Sequence, residues 1–492
     1  MMAKRRRTVL VIITALGLAG GAWAADQAAD LPVDEWQALI VQGKRVGYIH
    51  VELRQEGDEV VSKTTTMVAL KRFGSDLRID MAETFRERLD GTPVSFSTVQ
   101  EVGLTAVQYE GVIRDGKLRL VTVQGDRRRE AEYDWDPEAL CPYAMHLKQQ
   151  SLKYEPGEEL TVKVYSPGIS TTKPVTMRLK VIGKEAIDVL GVEVEATKIE
   201  SRISGLAGMT ETSWVDAKGN PLVTATRLLD ARAVRCTKEY ALGEVEPLDL
   251  FSAMLVKPDK PIETPERLTR LVVRLSMADG SPLAVQFESA GYQRVLKRDA
   301  ASVTLEISPT LTKTEETDLT RYLAASTYLD SADERIVNAA KQAVRLEKDP
   351  WTKARLLRAA VFQLVEEKSF GVAMATASEV IGTKEGDCTE HAVLLAAMAR
   401  AVGVPSRVAV GLIYVNGVFG YHMWTQVCVD GAWRDVDGVL PGRDFDAAHI
   451  RLATSALGDG DSLLDIAAIA SVFGRLKIEI VEADYPEGSG SQ

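Results

Sequence analysis

The alternation of apolar and polar positions predicts β structure through most of the first half of the chain. In runs such as Val162–Val164 and Met177–Val181, every second side chain is apolar, which is the period of a half-buried strand. Turn signals such as Asp115-Gly116 separate these runs. The pattern predicts one large, mostly antiparallel β domain, or two smaller ones.

The pattern changes in the middle of the chain. A cluster of prolines within Gly243–Leu268 predicts a linker. A short β segment follows over Leu271–Ile307, with Ala278–Ser281 as its hairpin turn. The apolar period then becomes helical, and predicts amphipathic helices over Asp333–Leu346 and Trp351–Glu367.

A third apolar helix begins at Cys388, and Gly403 supplies its stop signal. Three short strands are predicted after it, over Arg407–Val415, Tyr421–Val429 and Ala432–Val436. A helix followed by an antiparallel sheet indicates an α+β fold for the C-terminal part.

The first 24 residues have the pattern of a cleavable signal peptide. Lys4–Arg7 is basic, Thr8–Gly21 is apolar, and Ala22–Ala24 fits a cleavage site. No other stretch approaches the roughly 18 apolar residues of a membrane span. We therefore expect a periplasmic or secreted protein with no membrane span after signal removal.

These signals predict the following organisation: a signal peptide over 1–24, antiparallel β structure of unknown role over 25–242, a linker over 243–268, a small β segment over 269–320, a catalytic domain over 321–482, and a disordered tail over 483–492.

Charge and cysteine content exclude several classes of protein. Signal removal takes away four positive charges and no negative ones, and so moves the formal charge from −11 to −15. Such an acidic chain is a poor candidate for binding nucleic acid. Four cysteines in 492 residues are too few for a disulfide framework. Cys141 and Cys236 could pair, and sequence leaves that question open.

The candidate chemistry is that of a thiol nucleophile. Cys388 lies in the first turn of its helix, where free N–H groups and the helix dipole favour a thiolate. His422 and Asp437 follow on neighbouring antiparallel strands, which can bring them side by side. They would serve as the base and as the residue that orients it. Asp435 is the alternative orienting residue.

The same segments resemble the transglutaminase-like superfamily. The resemblance is carried by Gly386-Asp387-Cys388, Ala401–Val408, His422-Met423-Trp424 and Trp433–Asp437, and it covers roughly residues 320–482. It implies a papain-like α+β core, with Cys388, His422 and Asp437 as the Cys-His-Asp triad. No cofactor is implied.

Each of these residues also has a simpler interpretation. Cys388 could be a buried inert thiol, His422 a core histidine, and Asp437 a turn residue. A zinc site formed by Cys388, His391, His422 and Asp437 is a further alternative, although no Cys-x-x-Cys pair supports it. We expect no metal.

The sequence thus predicts an exported thiol enzyme that acts on amide bonds of proteins or peptides in the cell envelope. The resemblance slightly favours hydrolysis over transamidation. The alternatives are a non-catalytic binding or scaffolding protein that retains the fold, and a carrier whose N-terminal β region encloses an apolar ligand. Oligomeric state and substrate identity are not predicted.

Overall fold

A computed structural model describes residues 31–486 except 73–74, 103–104, 125–126, 205–209, 227, 250–254, 284, 369–374, 441, 443, 459–468 and 470. The described residues fall into two compact units, one within 1–250 and one within 251–492. The predicted signal peptide (1–24) lies outside the described residues, as do 487–492 of the predicted tail and part of the predicted linker. No helix in the described part of the chain has the length and hydropathy needed to span a bilayer.

The described strands of the first unit form one sheet. They are β1 Val33–Val41, β2 Lys44–Glu56, β3 Glu59–Arg72, β4 Ser75–Arg88, β5 Pro93–Val102, β6 Thr105–Arg114, β7 Lys117–Gln124, β8 Arg127–Asp134, β9 Ala139–Leu140, β10 Glu159–Val164, β11 Val175–Val189, β12 Val192–Ile203, β13 Thr210–Val215, β14 Pro221–Thr226, β15 Ala231–Cys236 and β16 Leu248–Asp249. Helix α1 spans Pro142–Gln150, and α2 spans Lys238–Ala241.

Antiparallel pairing between β1 and β15 joins two sets of strands into this sheet. Strands β1 to β8 pair in chain order on one side of the junction, and β15 back to β10 pair on the other. Among the described strands of this sheet, only the short strands β9 and β16 pair in parallel, with β10 and β3 respectively. The prediction of a large, mostly antiparallel β region is confirmed.

The second unit combines helices with two four-stranded sheets. Its elements are β17 Arg270–Met277, β18 Gly291–Arg298, β19 Ser302–Thr312, α3 Glu334–Val344, α4 Pro350–Leu364, β20 Glu367–Lys368, α5 Ala377–Thr383, β21 Glu385–Gly386, α6 Cys388–Ala401, β22 Ser406–Val415, β23 Val418–Val429, β24 Ala432–Val436, β25 His449–Ser455 and β26 Leu476–Asp484. The sheets have the strand orders β18-β19-β17-β26 and β24-β23-β22-β25. The predicted α+β class is confirmed.

The predicted hairpin at Ala278–Ser281 is wrong. Strand β17 pairs with β19 and β26, whereas β18 pairs with β19. The chain does turn at Gly280, which has a φ of 71°. Both edges of β17 are therefore occupied, one by β19 and the other by β26, and these distant pairings have no local sequence signal.

Helix α6 is the centre of the second unit. It packs against β22 and β23 and against helices α3, α4 and α5, and every residue from Thr389 to Arg400 is buried. The buried Arg400 guanidinium donates to the carbonyl oxygens of Ala324, Ser406 and Ala456. These bonds tie the C-terminal end of the helix to Ala324, to the start of β22 and to the residue that follows β25.

We predict that Gly411→Ala destabilises the second unit. A Cβ at this position in β22 would lie 2.0 Å from the carbonyl oxygen of Ile450 and 2.8 Å from Cη2 of Trp424. Overpacking of this kind costs about 2 kcal/mol. The matched control is Gly420→Ala in β23, because a Cβ there meets only Leu255 Cδ2 at 3.7 Å. Urea unfolding should show a lower midpoint for the first variant, and equal midpoints would contradict the packing described here.

Candidate active site

Local side-chain bonds fix the position at which helix α6 begins. Asp387 is its N-cap, and its carboxylate accepts hydrogen bonds from the N–H groups of Thr389 (2.8 Å) and Glu390. Glu390 in turn accepts from the Asp387 N–H at 3.0 Å and from the Ala375 N–H at 3.1 Å. This capping box makes Cys388 the first residue of the helix.

Gly386 is required by the same capping box. A Cβ at this position would lie 2.2 Å from Cβ of Glu390, closer than two carbon atoms can approach. Each residue of Gly386-Asp387-Cys388 therefore has a role. Gly386 leaves room for Glu390, Asp387 caps the helix, and Cys388 supplies the thiol.

Cys388 is partly exposed, whereas the residues that follow it in the helix are all buried. A thiol at a helix N-terminus experiences the positive end of the helix dipole, which favours the thiolate. The accessible position and the favourable field together make Cys388 the best placed of the four cysteines for a nucleophile. Cys141 and Cys428 are buried, and burial raises the pKa of both thiols.

His422 and Asp437 meet beside this helix. His422 lies in β23, and Asp437 directly follows β24, the strand that pairs with β23. His422 Nε2 and Asp437 Oδ2 are 2.8 Å apart, and both side chains are buried. Cys388 lies close enough to His422 to contribute to the raised pKa of its ring. The structure thus brings Cys388, His422 and Asp437 together.

Asp435 does not orient the histidine. Its Oδ1 accepts from Trp424 Nε1 at 2.8 Å and from Gln426 Nε2 at 2.7 Å. This carboxylate therefore fixes the Trp424 ring, which stacks beside His422 at a centroid distance of 6.0 Å.

The charges of the site stabilise an imidazolium. Burial by itself would lower the pKa of His422, but the charge and hydrogen bond of Asp437, with a contribution from Cys388, raise it well above its usual range. Burial by itself would raise the pKa of Asp437, but His422 and then His449 bring it below its usual range. Both shifts favour a carboxylate beside a protonated ring.

A family model described as the transglutaminase-like superfamily matches residues 337–438, a span that contains all three of these residues. Residues 337–438 are a transglutaminase-like domain. No curated protein matches the chain.

Three solved structures are similar to parts of the chain. A candidate cysteine protease from Cytophaga hutchinsonii has 14% identity and a TM-score of 0.30, and the match covers 44% of this chain and 90% of that one. A β-barrel-like protein of unknown function from Brucella abortus has 11% identity, a TM-score of 0.31 and coverages of 42% and 96%. A candidate protease from Parabacteroides distasonis has 13% identity, a TM-score of 0.21 and coverages of 73% and 68%.

His449 is a site residue that the sequence did not reveal. It lies in β25, beyond the matched part of the transglutaminase-like domain, and its Nε2 is 3.2 Å from Asp437 Oδ2. The segment between Asp437 and His449 has no periodic pattern, so nothing local predicts that the chain returns to the site. The sequence Ala448-His449-Ile450 at the start of β25 is a weak signal for a strand that carries a histidine.

Among the described residues, His422, Asp437 and His449 form one group of potential metal ligands. The donor atoms of His422, Asp437 and His449 lie within 4.8 Å of one another. In this arrangement each Nε2 faces the same carboxylate oxygen, so the ring protons account for the short distances without an ion. The zinc alternative raised by the sequence also used Cys388 and His391, but His391 Nδ1 faces the Asp387 carbonyl oxygen at 2.7 Å.

We predict that Asp437→Asn in the transglutaminase-like domain lowers the pKa of His422. Loss of an opposite charge at this range shifts a pKa by about 1–3 units, so fewer molecules would hold a thiolate beside a protonated ring. Cys388 should then react with iodoacetamide at pH 6 roughly tenfold more slowly.

The matched control is Asp435→Asn, which removes a neighbouring carboxylate bound to Trp424 and Gln426. Its reaction rate should stay within about twofold of wild type, because the asparagine oxygen can still accept the hydrogen bonds from Trp424 and Gln426, and the Trp424 ring then keeps its place beside His422. Equal slowing in both variants would show that Asp437 has no special relation to His422.

Proposed function

We propose that this protein is an exported cysteine hydrolase that cleaves amide bonds of proteins or peptides in the cell envelope. One observation carries the proposal: a partly exposed thiol at a helix N-terminus adjoins a histidine that is paired with a buried carboxylate. Thiol nucleophile, base and orienting group are the three requirements of acyl transfer by cysteine. The membership of residues 337–438 in a superfamily of thiol enzymes supports it.

In the first half-reaction, the Cys388 thiolate attacks the carbonyl carbon of the amide. The carbon–sulfur bond forms, and the carbonyl π electrons move to oxygen. As the tetrahedral intermediate collapses, protonated His422 gives its proton to the departing amine, and a thioester remains on Cys388. The Asp437 carboxylate is hydrogen-bonded to Nε2 of His422, so Nδ1 of this ring is the nitrogen available for the proton transfer.

The helix N-terminus also supplies a donor for the oxyanion. Asp387 already accepts hydrogen bonds from the N–H groups of Thr389 and Glu390. We assign the N–H of Cys388 itself to the developing negative oxygen, because it lies at the same positive end of the helix.

In the second half-reaction, His422 takes a proton from water while the water oxygen attacks the thioester, and the thiolate leaves with its electron pair. A primary amine could replace water and would give transamidation. We favour hydrolysis. The basic and apolar start of the chain supports export, and export would bring the enzyme to envelope proteins and peptides.

We predict that Cys388→Ala abolishes amide hydrolysis. Purified protein would be incubated with a glutamine-containing protein and with a fluorescent primary amine, while cleavage, ammonia release and amine incorporation are followed. Wild type should give cleavage or ammonia release, and loss of the nucleophile should lower the rate by at least about 10³-fold.

The matched control is Cys236→Ala, which removes a cysteine of similar exposure in the other unit. It should keep full activity. Amine incorporation that depends on Cys388 would mean that the enzyme catalyses transamidation and not hydrolysis. Identical activity of wild type and Cys388→Ala would overturn the enzyme proposal and favour a scaffolding protein that retains the fold.

A further inference from the structure

We propose that His449 is a positioning residue, which fixes the Asp437 carboxylate so that this carboxylate can hold His422. The inference rests on the proposed function and extends it to a residue outside the transglutaminase-like span of 337–438.

The hydrogen bonds of Asp437 are the first support. Its Oδ2 faces two imidazole nitrogens, His422 Nε2 at 2.8 Å and His449 Nε2 at 3.2 Å. Its Oδ1 accepts from the Val439 N–H at 2.8 Å. The carboxylate is therefore held from three sides, and only the contact with His422 belongs to the candidate triad.

The sheet explains how a second histidine reaches this carboxylate. Strand β22 lies between β23, which carries His422, and β25, which carries His449. The β22–β25 pairing has an irregularity next to Gly411, which is paired with His422 on its other side. A Cβ at Gly411 would lie 2.8 Å from Cη2 of Trp424, the ring beside both histidines, and the centroids of the two histidine rings are 5.6 Å apart.

The His449 ring is fixed by its surroundings. It is 6% exposed, and it meets the Trp424 ring edge-on at a centroid distance of 5.1 Å. Trp424 is itself held by Asp435. A ring confined in this way can orient a carboxylate, because its own position is determined by packing.

The second hydrogen bond has a physical purpose. A buried carboxylate that lacks donors is costly, and rotation of Asp437 about its side-chain bonds would move Oδ2 away from His422. The N–H of His449 opposes both effects. Residues of this kind, which act through the group that touches the reacting atoms, typically contribute 10–100-fold to activity.

Other charged groups face the two rings. Asp446 Oδ2 is 3.7 Å from His449 Nδ1, and Asp437 faces Nε2 of both histidines. His391 interacts with both Asp437 and His422. The pH dependence of any variant must therefore be compared with that of wild type and not with a single isolated histidine.

The test compares His449→Leu, which keeps apolar bulk without a donor, with His449→Gln, whose amide can place a donor near the former Nε2. The readouts are the rate of Cys388 alkylation by iodoacetamide from pH 5 to 9, and kcat and KM for amide hydrolysis. We expect the leucine variant to lose roughly tenfold or more in kcat with little change in KM, and to alkylate more slowly at pH 6. The glutamine variant should recover most of the kcat and most of the alkylation rate at pH 6.

A double variant tests whether His449 acts through Asp437. In an Asp437→Asn background, adding His449→Leu should cause no further fall in the alkylation rate. The proposal would be overturned if His449→Leu slowed alkylation by the same factor in both backgrounds. It would also be overturned if the His449→Leu variant behaved like wild type. Failure of glutamine to restore the rate would also overturn it, since bulk and not the donor would then matter.

The alkylation readout requires no substrate, so the two proposals can fail separately. If hydrolysis survives in Cys388→Ala while the His449 variants still change alkylation as expected, the proposed function fails and the positioning role stands. If hydrolysis depends on Cys388 while alkylation is unchanged in the His449 variants, only the positioning role fails.

Discussion

The candidate site depends on one buried carboxylate and on the donors that keep it ionised. Asp437 is only 9% exposed, and an unpaired charge at such a position would be strongly unfavourable. Two histidine rings and one backbone N–H offset this cost. Since the ring of His422 is the partner of this charge, its raised pKa follows from its pairing with Asp437.

The rest of the second unit supplies what this pair needs. Strands β23 and β24 place His422 and Asp437 side by side, and β25 brings His449 from the other edge of β22. Helix α6 approaches the same sheet with its N-terminus, and its capping box leaves Cys388 as the first helical residue. Because Gly411 has no side chain, β25 can lie close to β22, and because Gly386 has none, the capping box of α6 can form. The geometry is therefore a property of the whole unit and not of a single loop.

The sequence predicted those parts of the fold that have local signals. The helix start at Cys388 and the strand Ala432–Val436 appear as expected, and the other two strands differ only in their starting residues. Distant pairings had no such signals. Alternation predicted strands before residue 242, but not that β1 and β15 join them into one sheet. Likewise, β19 and β26 take both edges of β17, so the predicted hairpin does not form. His449 was missed for the same reason, because its partner lies across two strands and an unpatterned segment.

The protonation state of His422 is the property of the site that depends most on Asp437. Nitrogen NMR of the histidine side chains at pH 7, assigned by comparison with a His422→Gln variant, distinguishes a ring with two N–H groups from a neutral ring. The account predicts that His422 carries both protons, because Asp437 and Cys388 raise its pKa well above the usual range. A neutral His422 ring at pH 7 would contradict it, since the thiol would then have no imidazolium partner.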